Sequence, residues 1–532
     1  MYILTELIPL LIACFGAYVL YEIGDWTTSR KRKRMPPGPM GLPWIGNRSQ
    51  VPAIKPWRKF KEWNEQYGPV VSLFLGRTPV IVLGTAQAAW DLMEKRSDIY
   101  SSRPRFIMAG EILSDDNRGL MMPAGKNWQQ FRKVLHSGLH SRKADTYKDI
   151  QSLESKILIH QLLRDPKGYE NHIRRYAASV VVSLTYGKRV ESVDEWIVKE
   201  MSDSMDCKLN QVAIPGKYVV ESWPWLLKLP KPLQWFRREA LIQRERDIRL
   251  LTSLVADVKK RTEEGTCPPC LAQQVLGEKG KLGITDIRAA YTVSSPFGAG
   301  IETTSGTLFT FMLAMLHYPN VMRTAQAELD AVVGPDRIPD WTDRPNLQYV
   351  RALIHETLRW RPVAALGGMA HASTKEDVYE GMYIPEGSTV FANLSGIMHD
   401  PSNFPSPNTF EPSRFLPNHP LNTGHPRLQN DTFDLPFGFG RRACPGMHLA
   451  SNSLFMNVAR ILWGFDISPI KRKLLDGGQE KWEDVLPDEW AYTNGFNSWP
   501  ESFECEIMVR GGRETVVERE WDAAREALGK WA

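Results

Sequence analysis

A ten-residue loop near the carboxyl end of the chain gathers several features around one sulfur atom. The loop reads Phe437-Gly438-Phe439-Gly440-Arg441-Arg442-Ala443-Cys444-Pro445-Gly446. Because Pro445 suits the first position of a helix and residues 447–450 continue in a helical style, we expect Cys444 at a helix N-terminus, where unpaired amides and the dipole favour a thiolate. The glycines allow backbone amides to approach the sulfur, and the two arginines add positive charge. A thiolate held in this way is a strong axial ligand for haem iron.

Two other interpretations of the loop compete with haem binding. Gly438, Gly440 and Ala443 match the spacing of a dinucleotide-binding fingerprint. However, Pro436 and a polar loop precede them instead of a β-strand, and that fingerprint alone is a weak signal. A buried structural cysteine is the second alternative. The complete ten-residue pattern favours a haem ligand over both.

The loop resembles the haem-binding signature of the cytochrome P-450 superfamily, the haem-thiolate monooxygenases, and the similarity continues in order along residues 36–510. The resemblance implies a mainly α fold with a minor β-rich part, the cytochrome P-450 fold. It also implies haem b (iron protoporphyrin IX) as the cofactor, with Cys444 as the metal ligand. The general appearance is similar to that of fungal microsomal members that act on secondary metabolites.

A second motif resembles the distal-helix segment of the family. It reads Gly298-Ala299-Gly300-Ile301-Glu302-Thr303-Thr304. The resemblance implies that the small residues leave room for dioxygen, and that Glu302 and Thr303 are the catalytic acid and hydroxyl that relay protons. By themselves, glycine and threonine in a helix indicate packing or a bend. Pro296, just upstream, is a candidate kink position, since proline inside a helix costs about 3 kcal/mol.

Haem carries two propionates, which need cationic or hydrogen-bonding partners. Trp128 and Arg132, one helical turn apart, match the helix of the family that holds one of them. The resemblance implies Arg442 as a second partner, and His371 and Arg103 fit the same role. The family usually has proline before that histidine, whereas this chain has alanine. A lone histidine is more often a satisfied core residue, which is the alternative here.

The spacing Glu-x-x-Arg occurs at Glu356 and Arg359 and again at Glu411 and Arg414. An acid and a base three residues apart share one helical face, and taken alone they usually form a solvated ion pair worth a few tenths of a kcal/mol. In the family the two motifs form a buried cluster beneath the haem. The resemblance therefore implies a structural role for Glu356, Arg359 and Arg414.

Helical periodicity dominates the chain. A β-rich stretch is predicted at residues 70–75 and 79–83, and helices are predicted at residues 86–95, 128–136, 173–184, 242–260 and 319–333. Because no internal boundary or repeat is apparent, we predict one catalytic domain over residues 46–510. Residues 511–532 form a charged C-terminal tail with the pattern of an amphipathic helix and paired surface charges.

The N-terminus predicts a membrane anchor. An apolar run covers residues 3–23, and about 20 residues are enough to cross a bilayer core about 30 Å thick. Five consecutive basic residues follow at 30–34, and the positive-inside rule keeps everything after them in the cytosol. We expect residues 1–25 to be a transmembrane helix, residues 26–45 a basic, proline-rich linker, and the protein a single-pass protein of the endoplasmic reticulum membrane. A cleaved signal peptide is the alternative.

The formal charge of +5 comes from the basic block, whose five positive charges leave the rest of the chain neutral. We therefore expect no nucleic-acid partner. The 6 cysteines are too few for a disulfide framework and fit a reducing compartment. Cys267 and Cys270 have zinc-knuckle spacing, but with no second pair nearby they are interpreted as a surface loop. The glycosylation sequons at Asn47, Asn393 and Asn430 are interpreted as chance matches.

The leading hypothesis is a membrane-anchored monooxygenase that inserts one oxygen atom into a lipophilic small molecule. Because the chain has no flavin or dinucleotide fingerprint, electrons must come from NADPH through a separate donor, NADPH–cytochrome P-450 reductase, with a b-type cytochrome as an additional candidate. Arg441 would help to steer an acidic donor to the cysteine side. An isomerase or dehydratase that needs no external electrons is the first alternative. A non-catalytic haem-binding membrane protein is the second.

Overall fold

A computed structural model describes residues 34–204, 212, 217–423, 425, 427–429, 433–476 and 479–528, together with residue 16. The predicted anchor, residues 1–25, lies outside the described residues except for residue 16. No helix among the described residues is long and apolar enough to cross a membrane. The chain divides into two compact units. The first comprises residues up to Pro104 and Ala370–Ile397, and the second comprises Arg105–Met369 and the chain from Met398 onward.

Helices outnumber strands in the described residues, as the periodicity predicts. The helices are α1 (Pro56–Tyr67), α2 (Ala86–Ala89), α3 (Ser97–Tyr100), α4 (Lys126–Leu139), α5 (Ser141–Asp145), α6 (Lys148–Arg164), α7 (Tyr169–Tyr186), α8 (Trp196–Ser202), α9 (Val219–Ser222), α10 (Arg238–Glu263), α11 (Leu271–Leu282), α12 (Asp286–His317), α13 (Pro319–Val332), α14 (Gln348–Trp360), α15 (Leu394–Ile397), α16 (Met447–Gly464) and α17 (Glu514–Leu528). The strands are β1 (Val70–Leu75), β2 (Thr78–Leu83), β3 (His371–Ala372), β4 (Asp377–Tyr379), β5 (Met382–Ile384), β6 (Thr389–Ala392), β7 (Phe465–Ser468), β8 (Ile470–Asp476), β9 (Gln479–Val485) and β10 (Glu506–Val509).

The first unit is built on a four-stranded sheet of order β1-β2-β6-β3. β1 and β2 pair antiparallel, which confirms the predicted β-rich stretch, and their valines and isoleucine are almost fully buried. β2 pairs parallel with β6, which comes from the second stretch of the unit, and β3 adds antiparallel to β6. The sheet therefore places His371, at the start of β3, beside Val390 of β6.

The proline-rich linker is fastened to β1. The hydroxyl and the amide of Ser72 donate to the carbonyls of Pro36 and Pro37 at 2.5 and 3.0 Å. A Cβ on Gly38 would lie 1.8 Å from the Ser72 carbonyl oxygen, so only glycine allows this approach. The end of the linker is therefore part of the first unit.

Two helices of the second unit are apolar on nearly all faces and form its interior. Every residue of α12 from Thr304 to Leu316 is buried, and so is every residue of α16 from Asn452 to Gly464. α12 packs along α7, and α16 packs against α6. This framework carries the segment 298–304 and the Cys444 loop.

The helix α12 continues through Pro296. Proline has no amide proton, and its ring crowds the carbonyl of Thr292. The hydroxyls of Ser294 and Ser295 both donate to the Tyr291 carbonyl at 2.9 Å, which adds polar contacts just before the proline. Pro296, the candidate kink position, therefore lies inside the single helix α12.

Gly300 lets α12 pack closely on α7, because a Cβ on Gly300 would lie only 2.8 Å from Val181 Cγ2. We expect Gly300→Ala to lower the free energy of unfolding by about 1–3 kcal/mol, since the valine methyl group must move within a filled interior. In the double variant with Val181→Ala the clash is gone, so much of the loss should be recovered. Denaturant unfolding of the two single variants and the double variant measures this coupling. A Gly300→Ala protein as stable as the wild type would contradict the prediction.

The C-terminal tail forms the helix α17, which confirms the predicted amphipathic helix. The helix packs against α6, with Val516, Val517, Ala524 and Leu528 buried. Its acidic residues pair with α6, where Glu520 lies 2.7 Å from Lys156 and Glu518 contacts His160 and Arg164. Ion pairs also form within the helix, with Arg519 3.8 Å from Glu520 and Arg525 3.9 Å from Asp522. The ring of Trp521 stacks on His160 at 4.6 Å between centroids.

Two of the three sequons are buried in the first unit. The Asn47 side-chain amide donates to the Pro39 carbonyl at 3.0 Å, and that of Asn393 donates to the Trp57 carbonyl at 3.1 Å. Both residues are 0% exposed, so neither side chain is accessible to a modifying enzyme in the folded protein. Asn430 lies outside the described residues.

Candidate active site

The Cys444 loop folds as a compact turn before α16. Gly438 and Gly440 have φ angles of 80° and 52°, which glycine adopts without strain. The Cys444 amide donates to the Phe437 carbonyl at 2.7 Å and closes the turn. A 3-10 turn at Leu435–Phe437 precedes the glycines. Because no strand leads into them, the dinucleotide-binding interpretation is excluded.

Cys444 is exposed, which excludes the buried structural cysteine. The protein around it is nevertheless dense, and this burial raises the pKa of the thiol, while the Gly446 amide and the Arg132 guanidinium lower it. The prediction that Cys444 begins the helix is wrong, because α16 begins at Met447 with Gly446 as its N-cap. A bound metal ion would outweigh the effect of burial, since a coordinating thiol is deprotonated outright.

Arg132 on α4 reaches the loop from the side. Its Nη1 donates to the carbonyl of the residue before Cys444 at 2.6 Å. Burial lowers the pKa of Arg132, and the Cys444 sulfur acts in the opposite direction. A further anion near Arg132 would therefore stabilise the charged form of this partly desolvated guanidinium.

The two arginines of the loop have different surroundings, although both were predicted to contribute positive charge near the Cys444 sulfur. The Arg442 guanidinium lies 4.2 Å from the centroid of the Trp128 ring and donates to the Met122 carbonyl at 2.7 Å. Arg441 is exposed. The structure thus brings Trp128, Arg132 and Arg442 together around the loop, and the cation that lowers the thiol pKa is Arg132.

Arg103 and His371 are linked within the first unit. The Arg103 guanidinium donates to the Ala370 carbonyl at 3.0 Å. His371 Nδ1 lies 2.7 Å from the Tyr100 carbonyl, and because a carbonyl only accepts, Nδ1 carries the proton. Both side chains are buried, and burial lowers the pKa of Arg103 to about 9. The backbone carbonyl of the residue just before His371 therefore holds Arg103.

The distal segment lies within α12, and one part of this helix is open. Ala299 is exposed, and the hydroxyl of Thr303, one turn later, donates to the Ala299 carbonyl at 2.6 Å. Gly300 faces Val181 on α7. Gly300 therefore allows close helix packing, and Ala299 lies on the open side. That the small residues leave room for dioxygen stays a prediction.

Asn497 is a residue of the site that sequence reasoning missed. Its Nδ2 donates to the Glu302 carboxylate at 3.2 Å. The loop that carries it is held by the Ser498 amide, which donates to the Val363 carbonyl at 2.8 Å. A lone asparagine in a loop belongs to no short motif. The only local signal is Gly495 two residues earlier, which indicates a turn but no partner.

Glu356, Arg359 and Arg414 form one cluster, in which each side chain is at most 1% exposed. Glu356 accepts from Arg359 at 2.6 and 2.7 Å and from Arg414 at 3.4 Å. The Glu411 amide also donates to Glu356 at 2.8 Å, and Arg359 donates to the Met398 carbonyl at 2.8 Å. The two Glu-x-x-Arg motifs therefore meet in space.

The residues around Cys444 fit a haem. Among the residues that the structure describes, no group of three or more His, Cys, Asp or Glu could hold a metal ion. An iron ion bound by Cys444 must therefore bring its other ligands within a prosthetic group. Cys444 would hold the iron of a haem through its sulfur, and Arg132 and Arg442 would hold its anionic propionates.

The family model for cytochrome P450 matches residues 36–486. This chain belongs to the cytochrome P450 family. The P450 is 36% identical over 486 residues to cytochrome P450 monooxygenase 58 of Postia placenta, which covers 91% of this chain and 90% of that protein. Cytochrome P450 monooxygenase fogE of Aspergillus ruber is 34% identical, with 94% of this chain and 91% of its own length covered. The protein is therefore an oxygen-incorporating oxidoreductase of a family that binds haem iron.

A solved structure of a zebrafish cytochrome P450, described with abiraterone, shares the fold of this P450. The TM-score is 0.66 at 24% sequence identity, and the match covers 86% of this chain and 100% of that chain. At this identity the similarity concerns the fold alone. It confirms the mainly helical P450 fold with minor sheets.

Proposed function

We propose that this P450 is a haem-thiolate monooxygenase that inserts one atom of dioxygen into a lipophilic small molecule of secondary metabolism. The observation that carries the proposal is the exposed sulfur of Cys444, held in a glycine turn and flanked by Arg132 and Arg442. Fungal relatives that are named monooxygenases support the same reaction. The proposed cofactor is haem b, which supplies the redox chemistry that activates dioxygen.

In this proposal the residues around the loop hold the cofactor. Cys444 would hold the haem iron through its thiolate. Arg132 and Arg442 bind a propionate, and Trp128 keeps the Arg442 guanidinium in place through its ring face. The same role for Arg103 and His371 stays a prediction.

Glu302 and Thr303 are the proposed source of protons. The Thr303 hydroxyl lies on the open side of α12, where its contact with the Ala299 carbonyl fixes its direction. Asn497 orients the Glu302 carboxylate through a hydrogen bond. An acid and a hydroxyl in neighbouring positions suit a relay in which the hydroxyl passes a proton on and the carboxyl group replaces it.

We expect Thr303→Val to lower the rate of product formation about 10²-fold, because valine keeps the shape of the side chain and removes its hydroxyl. Substrate binding, measured by the haem spectral shift, should not change. The measurement is the product formed for each NADPH consumed. Thr303→Ser keeps the hydroxyl and is the matched control, with turnover near that of the wild type. A Thr303→Val enzyme with undiminished yield would exclude the relay.

The proposed electron donor is NADPH–cytochrome P-450 reductase, with a b-type cytochrome as an additional candidate. A protein donor with an acidic surface needs an accessible cation near the cysteine loop. Arg441 is exposed on this loop, whereas the guanidinium of Arg442 lies against Trp128. Arg441 is therefore the residue that we assign to donor steering.

We propose that the protein is a single-pass protein of the endoplasmic reticulum membrane with its catalytic part in the cytosol. Exposed tryptophans of the second unit support contact with a lipid surface: Trp223, Trp225 and Trp235 are 55%, 54% and 69% exposed. Lys228 and Lys231 lie between them in the chain. Tryptophan together with lysine is typical of a membrane interface.

Isotopically labelled dioxygen tests the proposed reaction. Candidate substrates are selected by an anaerobic binding screen that scores the haem spectral shift caused by displaced axial water. With full-length enzyme, reductase and NADPH, we expect one labelled oxygen atom in the product and the other in water. Turnover without NADPH and reductase would instead support the isomerase or dehydratase. Bound haem with no product from any lipophilic class would support the non-catalytic alternative.

A further inference from the structure

A pair of cysteines lies in the turn between α10 and α11. The turn reads Cys267-Pro268-Pro269-Cys270, and both thiols are unbonded in the structure. Their sulfur atoms are 4.0 Å apart. Because a disulfide requires about 2.0 Å between the sulfurs, the two side chains need only a small rotation to form one. The segment is a surface loop, as predicted, with residues 264–266 and 269 exposed, but the Cys270 side chain at its end is only 8% exposed.

The turn is held in place by Arg261. The Arg261 carbonyl accepts from the Thr266 and Cys267 amides at 2.9 and 3.2 Å. Its guanidinium donates to the carbonyls of Tyr186 and Gly187, at the end of α7, at 2.6 and 3.2 Å. The two prolines between the cysteines also restrict the backbone, so the turn keeps Cys267 and Cys270 close to each other.

The two thiols have different surroundings. Cys267 is half-buried and Cys270 is buried, so the Cys267 sulfur is the one that we expect a small molecule in solvent to reach first. Cys270 is the N-cap of α11, and its pKa is raised to about 11 by burial, while the Gln273 amide and the Arg261 guanidinium act in the opposite direction. One accessible and one buried thiol are the usual arrangement of an attacking and a resolving cysteine.

A metal site is a poorer explanation for the pair. Zinc bound by two cysteines needs further ligands. In the described part of the chain, no third His, Cys, Asp or Glu joins the two sulfurs in a group that could hold a metal ion. Thiol chemistry between the cysteines needs no third residue.

We propose that Cys267 and Cys270 form a reversible dithiol–disulfide site that reacts with small-molecule disulfides and thiols of the glutathione type. The Cys267 thiolate attacks one sulfur of the disulfide, whose S–S bond breaks and releases one thiolate. Cys270 then loses its proton to water and attacks the Cys267 sulfur, releasing the second thiolate. The two cysteines lose two electrons and two protons in total, and one glutathione disulfide becomes two glutathione molecules. Excess glutathione reverses both steps.

The experiment measures both thiols in one peptide. The full-length, haem-loaded protein is equilibrated in glutathione buffers of graded oxidation, then denatured in excess N-ethylmaleimide so that every free thiol is labelled, and digested with trypsin. Cleavage after Arg261 and Lys279 yields residues 262–279, which contain both cysteines. We expect two labels on this peptide under reducing conditions. Under oxidising conditions we expect no label and a mass two hydrogens lower than that of the reduced peptide, and added glutathione should restore both labels.

Two variants separate the roles of the thiols. In Cys270→Ser, the mixed disulfide of Cys267 with glutathione should become the dominant form, because no second thiol resolves it. In Cys267→Ser, Cys270 should carry no glutathione, because its thiol is buried in the folded protein. The thiol of Cys505 in the same samples is an internal reference, since the structure gives it no thiol neighbour among the described residues. The haem spectrum checks that each variant is folded.

Three results would overturn the proposal. The pair is not redox-active if both thiols of the wild type keep their labels in the most oxidising buffer. The two cysteines cannot form a disulfide with each other if glutathione remains on wild-type Cys267 and is not displaced by Cys270. It is a permanent structural disulfide if excess glutathione cannot reduce it. All three results are independent of the reaction at Cys444.

Discussion

Cys444→Ala is expected to abolish both the thiolate-type carbonyl spectrum of the reduced protein and the formation of product. Alanine offers no ligand. The residue lies in a turn and not inside a helix, so the substitution itself should leave the fold intact. The carbonyl spectrum, the haem content and the turnover are measured on the same purified sample, so that loss of the ligand is distinguished from loss of haem.

Cys505→Ala is the matched control for this experiment. Cys505 is also an unbonded cysteine, but burial raises its pKa to about 12, so its thiol stays protonated. We expect this variant to keep the carbonyl spectrum and the turnover of the wild type. A Cys444→Ala protein with an unchanged thiolate-type spectrum and its native product would show that another residue binds the iron.

Glu356→Gln is expected to lower the free energy of unfolding by about 3–5 kcal/mol, because it leaves two buried guanidinium groups without their carboxylate. Arg359 and Arg414 are 0% and 1% exposed, so water cannot replace the lost charge. The glutamine can keep only part of the hydrogen bonds, including that from the Glu411 amide. The shift of the denaturant midpoint, measured by circular dichroism, gives the size of the effect.

The control for the Glu356 variant is a surface ion pair with the same spacing. Glu62 lies 2.6 Å from Lys59, three residues earlier, but its side chain is 61% exposed. Glu62→Gln should therefore change the stability by less than about 1 kcal/mol. If Glu356→Gln and Glu62→Gln unfold at the same denaturant concentration, the buried Glu356 cluster stabilises the fold no more than an exposed ion pair does.

The sequence predicted the parts of the site that depend on rare side chains at short spacing. Cys444 with its glycines and arginines is one such case, and the Glu356 and Arg359 pair is another. The long segments of regular periodicity also became helices, and residues 70–75 became β1 as predicted. These features are local, so neighbouring residues alone determine them.

The details that were missed depend on contacts between distant parts of the chain. Asn497 and Glu302 are 195 residues apart in the chain, and no short motif around either residue predicts their hydrogen bond. The close packing of Gly300 on Val181 was not predicted, because the position of a residue on another helix is not visible in a motif. The first residue of α16 was misplaced because Pro445 suits a helix start, whereas the chain uses Gly446 as the cap.

The parallel pairing of β2 with β6 has a consequence for synthesis on the ribosome. β2 is complete at Leu83, but its partner emerges only when Thr389–Ala392 has been translated. Until then this edge of the nascent sheet has no neighbour and is open to incorrect association. The helices of the second unit between Arg105 and Met369 have left the ribosome by that time. The amino-terminal unit is therefore finished after much of the helical one, and a holdase chaperone should matter most during this interval.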